Sequence, residues 1–181
     1  MQRYRDPATT PSQRRRLAEQ IGEDGGLRYL REAGGDPQLT ILRPTSSAQV
    51  QPLVERMEQG VAWDHAVAYN GRNVTNLVYF DGRTLHVVEA KGGNGQYIDR
   101  VSSLQPPQRI AQTDEYYPRD VAADMQRSPL SDGRNELGRL IRRAYRSEDV
   151  RYVGVRTGPR DQLLSGTPET VVEKIIREVA G

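Results

Sequence analysis

The chain has 181 residues, with 26 Lys and Arg against 24 Asp and Glu, a formal charge of +2, two histidines and no cysteine. That length suits one domain with a substantial core, or one domain with a short helical extension, and leaves two full domains crowded. The missing cysteines exclude a disulfide framework and thiolate chemistry, and His65 and His86 alone do not make a histidine-rich zinc site. The near-cancelling charge leaves any nucleic-acid affinity to local clusters.

No apolar run approaches the roughly 20 residues that cross a bilayer, and the opening Met-Gln-Arg-Tyr-Arg-Asp-Pro lacks the apolar segment of a signal peptide. The chain therefore reads as soluble, any export address belonging to a larger parent protein. Residues 12–33 are polar and helix-prone, with Leu17, Ile21, Leu27, Tyr29 and Leu30 as apolar positions. Gly25-Gly26 breaks them into two short helices and Gly34-Gly35 stops the second. Arg14-Arg15-Arg16 is read as a solvated face or linker in preference to a phosphate contact. Residues 39–42 form a short strand ended by Pro44, so residues 1–45 are expected to be a helical extension or linker and 46–181 the principal domain.

Ser46-Ser47 caps a helix over 49–59, with Pro52 near its first turn and Val50, Leu53, Val54 and Met57 on one side. Residues 63–69 are strand-like. Residues 74–80 and 83–91 then form two strands joined by Asp81-Gly82, a strong hairpin signal. With a two-residue loop, Val78 lies opposite Leu85, Asn76 opposite Val87 and Val74 opposite Glu89, and alternation gathers Asn76, Glu89 and Lys91 on one face with Val78, Phe80, Leu85 and Val87. A carboxylate and an ammonium on a core-directed face are costly unless paired, hydrated or bound to a metal. The plain alternative is an edge strand whose end emerges into water.

Residues 92–107 read as a loop rich in turn formers, and 108–125 as a helix interrupted at Pro118. The helix over 133–146 puts Leu137, Leu140, Ile141 and Ala144 toward the core. Its Arg139, Arg142, Arg143 and Arg146 form the strongest basic cluster in the chain, read equally as a phosphate-binding wall and as a solvated helix face. Residues 150–155 give a last strand and 167–179 a last helix, with Thr167 as N-cap and Pro168 in the first turn. This order implies an α+β (α/β-like) fold in which a central mixed sheet, built on a three-stranded meander over 61–91, is flanked by helices.

With these residues in view, Val-Val-Glu89-Ala-Lys91-Gly-Gly after a hairpin strand resembles the PD-(D/E)xK, restriction-endonuclease-like nuclease superfamily, particularly toxin domains of bacterial polymorphic toxins. The resemblance covers roughly residues 49–157, and the position where the family places an Asp is Asn76. It implies Mg²⁺ or Mn²⁺ held by Glu89, Asn76 and the Ala90 carbonyl, with Lys91 orienting water or stabilising the transition state. It also implies a helix-borne Glu carried over to Glu55, and Gln112 and Tyr116 on one face of the following helix. DNA is the favoured substrate, with RNA left open. The family further implies delivery into the cytoplasm of a target cell as part of a larger secreted toxin, and a cognate immunity protein. Asn76 is open to three explanations: a natural variant that still binds metal, a degenerate non-catalytic homologue that binds nucleic acid or protein, or an inactivating substitution.

Overall fold

The structure, a computed structural model, describes residues 9–69, 71, 74–93, 95–102 and 109–158, together with the backbone of 170–178. Its elements are α1 (Pro11–Gly34), β1 (Thr40–Leu42), α2 (Ser47–Glu58), β2 (His65–Val67), β3 (Leu77–Phe80), β4 (Leu85–Gly92), β5 (Asp99–Val101), β6 (Arg109–Ala111), α3 (Tyr117–Gln126), α4 (Arg134–Ser147), β7 (Val150–Thr157) and β8 (Thr170–Glu178). Six strands form one mixed sheet in the order β1-β2-β3-β4-β7-β8, and β5 and β6 form a separate two-stranded ladder. The meander β2-β3-β4 is antiparallel, β7 joins β4 in parallel after the α3-α4 crossover, and β8 returns antiparallel to β7. This is the α+β architecture expected from the order of elements. Among the described residues, no helix is long and apolar enough to cross a membrane.

Alternation along the central strands sorts the core into two layers. Leu77, Val88 and Ala90 face α1, whose Gly26 sits against all three, and Tyr79 meets Gly34 at the end of that helix. The opposite face, with Phe80, Glu89 and Tyr152, is covered by α2, α3 and α4: Trp63 stacks obliquely on Phe80 and donates its indole N–H to the Leu53 carbonyl at 2.8 Å. Because β3 and β4 are buried on both faces, they read as near-continuous apolar runs.

Residues 11–34 form one helix, not the two short ones expected. Thr10 and Gln13 close a capping box at its start, and Gly35 ends it in the left-handed region. Gly25 and Gly26 do not break it, because Gly22, Gly25 and Gly26 are buried where the helix presses on the sheet. A Cβ on Gly22 would lie 2.8 Å from the Gly92 amide nitrogen, and one on Gly92 would lie 2.0 Å from the Ala18 carbonyl oxygen. This contact outweighs a helix-propensity cost of about 1 kcal/mol per glycine. The described part of the expected extension, residues 9–45, packs on the sheet, with α1 covering β4 and β1 pairing with β2.

Other expectations need correcting. The Asp81-Gly82 turn is a four-residue loop: Phe80 pairs with Leu85, and the Asp81 N–H donates to the Thr84 carbonyl at 3.2 Å. Asp81 stabilises this loop by accepting from the Arg83 and Thr84 N–H groups and by pairing with the buried His86 at 2.7 Å. Burial opposes the Asp81 charge, but these bonds prevail and hold its carboxyl down at about 2. Register moves by two residues, so the faces survive the error. The 92–107 loop contains β5; residues 103–108 lie outside the described residues. The helix over 108–125 divides into β6, a turn and α3, with Pro118 in the first turn of α3, where its missing N–H costs nothing.

In α2, Pro52 lies inside the helix, and the Ser46 side chain makes no cap bond. The Gln49 side chain accepts from the Thr45 N–H instead, at 2.7 Å. The expected last helix is a strand, β8, whose Thr, Val and Ile run favours an extended chain that completes the open side of β7. Its proposed capping residues, Thr167 and Pro168, lie outside the described residues. Gly22→Ala should lower the unfolding free energy by about 1–3 kcal/mol in urea titration, because overpacking against the β4 backbone exceeds the gain in helix propensity.

Candidate active site

Glu89 sits in an interior strand with its side chain buried, which removes the edge-strand explanation for a charge at this position. Its Oε1 accepts from Lys91 Nζ at 2.8 Å and from Gln112 Nε2 at 2.6 Å. Burial pushes the Glu89 carboxyl above its ordinary range, and the nearby Lys91 ammonium opposes that shift. Among the described residues no donor reaches Oε2. One oxygen is therefore fixed by a cation and an amide, while the other keeps its lone pairs.

The surrounding frame holds this carboxylate in place. Gln112 lies in the turn before α3 and not on a helix face. Its Oε1 accepts from the Ile98 N–H at 2.8 Å, its Nε2 also reaches Tyr117 Oη at 3.1 Å, and its carbonyl accepts from Tyr152 Oη. The aromatic beside Gln112 is thus Tyr117, five residues on, while Tyr116, the expected partner at four, is about half exposed. Burial and the neighbouring Glu89 push the Tyr117 hydroxyl up to about 12, so it stays neutral and able to donate. Gly154 pairs with Glu89 across β4 and β7, and its lack of a side chain leaves room for Tyr97, whose hydroxyl would lie 2.7 Å from a Cβ there. The Tyr97 ring carries Lys91 Nζ at 5.7 Å from its centre and the Arg156 guanidinium carbon at 5.8 Å.

Asn76, immediately before β3, accepts the Ala90 N–H through Oδ1 at 2.9 Å, so it meets the Glu89-Ala90-Lys91 segment across the hairpin. Asn76, Ala90 and Lys91 open together onto a cavity of about 1190 Å³ that also reaches Arg15, Glu19 and Glu23 of α1. Glu55 is not brought there: it is exposed on α2, where its side chain accepts from Gln51 at 3.3 Å. The helical carboxylates that do line the cavity, Glu19 and Glu23, were missed because α1 was assigned to an extension. Burial pushes the Glu23 carboxyl up, against the pull of its ion-pair partner Arg43.

The α4 arginines also lie elsewhere. Arg139 and Arg143 line a groove of about 220 Å³ with α2, Arg143 bonds Glu58 at 3.0 Å, and Arg142 bonds Gln126 at 2.5 Å. None of these three arginines lines the cavity at Asn76 and Lys91.

Among the described residues no three His, Cys, Asp or Glu side chains cluster as a metal site. The donors near the hairpin end are oxygens, the Glu89 carboxylate and the Asn76 amide, with the Ala90 carbonyl implied by the resemblance; in type they suit a hard divalent ion. Their combined charge is one carboxylate, already shared with Lys91. The architecture is thus an α+β sheet protein in which buried Glu89 and Gln112 meet Lys91 beside a large cavity. No family model matches the chain, nor does a curated protein or a solved structure.

The raised Glu89 pKa has a definite sign in stability. Folding binds the proton more tightly than the unfolded chain, so ionisation above pH 4.5 favours unfolding until the folded pKa is passed. The unfolding free energy of Glu89→Gln minus that of the native sequence should therefore rise with pH above 4.5 in urea titrations. A difference independent of pH would contradict the burial account.

Proposed function

We propose that the protein is a metal-dependent nuclease of the PD-(D/E)xK type, acting on DNA as the effector domain of a delivered bacterial toxin. The observation that carries this reading is the junction of Asn76 with the Glu89-Ala90-Lys91 segment on adjacent central strands, with Asn76, Ala90 and Lys91 lining the cavity and Glu89 buried beside them. The element order supports it too: a helix on one face, a three-stranded meander, a helical crossover on the other face and a strand parallel to the third.

In this reading Glu89 Oε2, Asn76 Oδ1 and the Ala90 carbonyl would hold Mg²⁺ or Mn²⁺. When bound, the ion neutralises charge developing on phosphate and acidifies water. Lys91 places an ammonium beside the same carboxylate, where it can orient a water molecule or stabilise added negative charge. Gln112 holds Glu89 Oε1 in position, and the neutral Tyr117 keeps Gln112 oriented. The helix-borne carboxylate of the family corresponds better to Glu19 or Glu23 than to Glu55, since both line the cavity. In a toxin of this kind a cognate immunity protein would be the natural inhibitor, and an acidic one would match the arginines at the cavity.

One observation favours a second reading, a non-catalytic module that binds nucleic acid or protein. Asn76 Oδ1 already accepts the Ala90 N–H, and Glu89 Oε1 is already paired, so the present side chains satisfy much of one another without an ion.

Asn76→Asp separates the two, because it adds a carboxylate where the amide stands. Mg²⁺- or Mn²⁺-dependent plasmid nicking and linearisation should appear or rise, and Lys91→Ala in that background should reduce it on the order of a hundredfold. Glu89→Gln should return it to background. A folded Asp variant that cleaves neither DNA nor RNA and binds no Mn²⁺ would sink the nuclease reading.

A further inference from the structure

Among the described residues, the cavity is lined by four cations, Arg15, Arg16, Arg43 and Lys91, against two carboxylates, Glu19 and Glu23. Arg43 is paired with Glu23, which offsets one of each. Arg15 and Arg16 are exposed, and no described residue bonds or ion-pairs with either. We propose that these two arginines of α1 form the phosphate-binding wall of the site, gripping the phosphodiester backbone of a nucleic acid beside the Glu89-Lys91 end. This rests on the nucleic-acid reading above for the class of ligand, and adds which surface holds it.

The wall belongs to α1 and not to α4. Unpaired guanidiniums in water keep their full charge and donors for phosphate, whereas Arg142 and Arg143 already serve Gln126 and Glu58. The α4 groove shares no lining residue with the cavity at Asn76 and Lys91. Finally, α1 cannot drift along the sheet, because Gly22 is in backbone contact with Gly92, the residue after Lys91. Arg15 and Arg16 lie seven and six residues before Gly22, about 9–11 Å along the helix axis. The wall therefore stands at a fixed offset from Lys91.

The test is binding of a short labelled DNA duplex to the full chain, by fluorescence anisotropy in chelator across a salt series. Arg15→Ala with Arg16→Ala should weaken binding roughly tenfold and lower the slope of log K against log salt by about 1.8, or 0.9 per lost contact. Arg15→Lys with Arg16→Lys, folding alike and keeping the charge, should retain the slope. Arg139→Ala with Arg143→Ala should leave both quantities near the native values. Absence of binding by the native chain, an unchanged α1 variant, or a loss confined to the α4 variant would each overturn the assignment. Mn²⁺ binding and cleavage, measured on the same preparations, judge the nuclease reading separately. Binding through α1 without either would keep the wall and remove the catalysis.

Discussion

The close contact between α1 and β4 is the constraint on which the rest of the structure depends. Backbone meets backbone at Gly22 and Gly92, with Ala18 and Gly26 continuing the contact on either side. Any larger side chain at the two central positions would have to push a helix off a central strand, which would open the core layer holding Leu30, Leu77 and Val88. The same contact forms one wall of the cavity, since the helix runs on from Gly22 toward its N-terminus past the open ends of β3 and β4. Fold stability and the shape of the site are therefore set by one interface.

A second constraint is the buried carboxylate. Glu89 occupies a position where an aliphatic residue would pack without electrostatic cost, and the chain keeps it charged-capable by supplying Lys91 and Gln112 to one oxygen. Gln112 is fixed in turn through Ile98, Tyr117 and Tyr152, so residues from β4, the segment before β5, the turn before α3, α3 itself and β7 all converge there. Such a network adds little to stability compared with a hydrophobic replacement, while removal of one member leaves a buried polar group unsatisfied.

Much of this site could be read from local pattern. The Asn76, Glu89 and Lys91 positions share a face by strand alternation, and the two-residue error in loop length left that grouping intact because the period of a strand is two. Gln112 bonds Glu89 from a turn and with Tyr117 as its aromatic neighbour, where a helix face shared with Tyr116 was expected. Glu55 and the α4 arginines failed to join it because helical periodicity describes a face relative to its own axis and gives no information on which neighbour that face meets.

The sequence by itself determined the meander, the α+β class, the face carrying Glu89 and Lys91, and α4 to within one residue at each end, since each follows from short-range periodicity and turn chemistry. Only tertiary structure decided that Gly25-Gly26 continues a helix, that 170–178 is a strand, and that Arg15 and Arg16 line the cavity. Those outcomes depend on contacts between segments far apart in the chain. A glycine reads as a breaker until a strand backbone lies against it, a Val- and Ile-rich segment is ambiguous until an open sheet edge pairs with it, and an arginine reads as solvated until the fold shows what stands beside it.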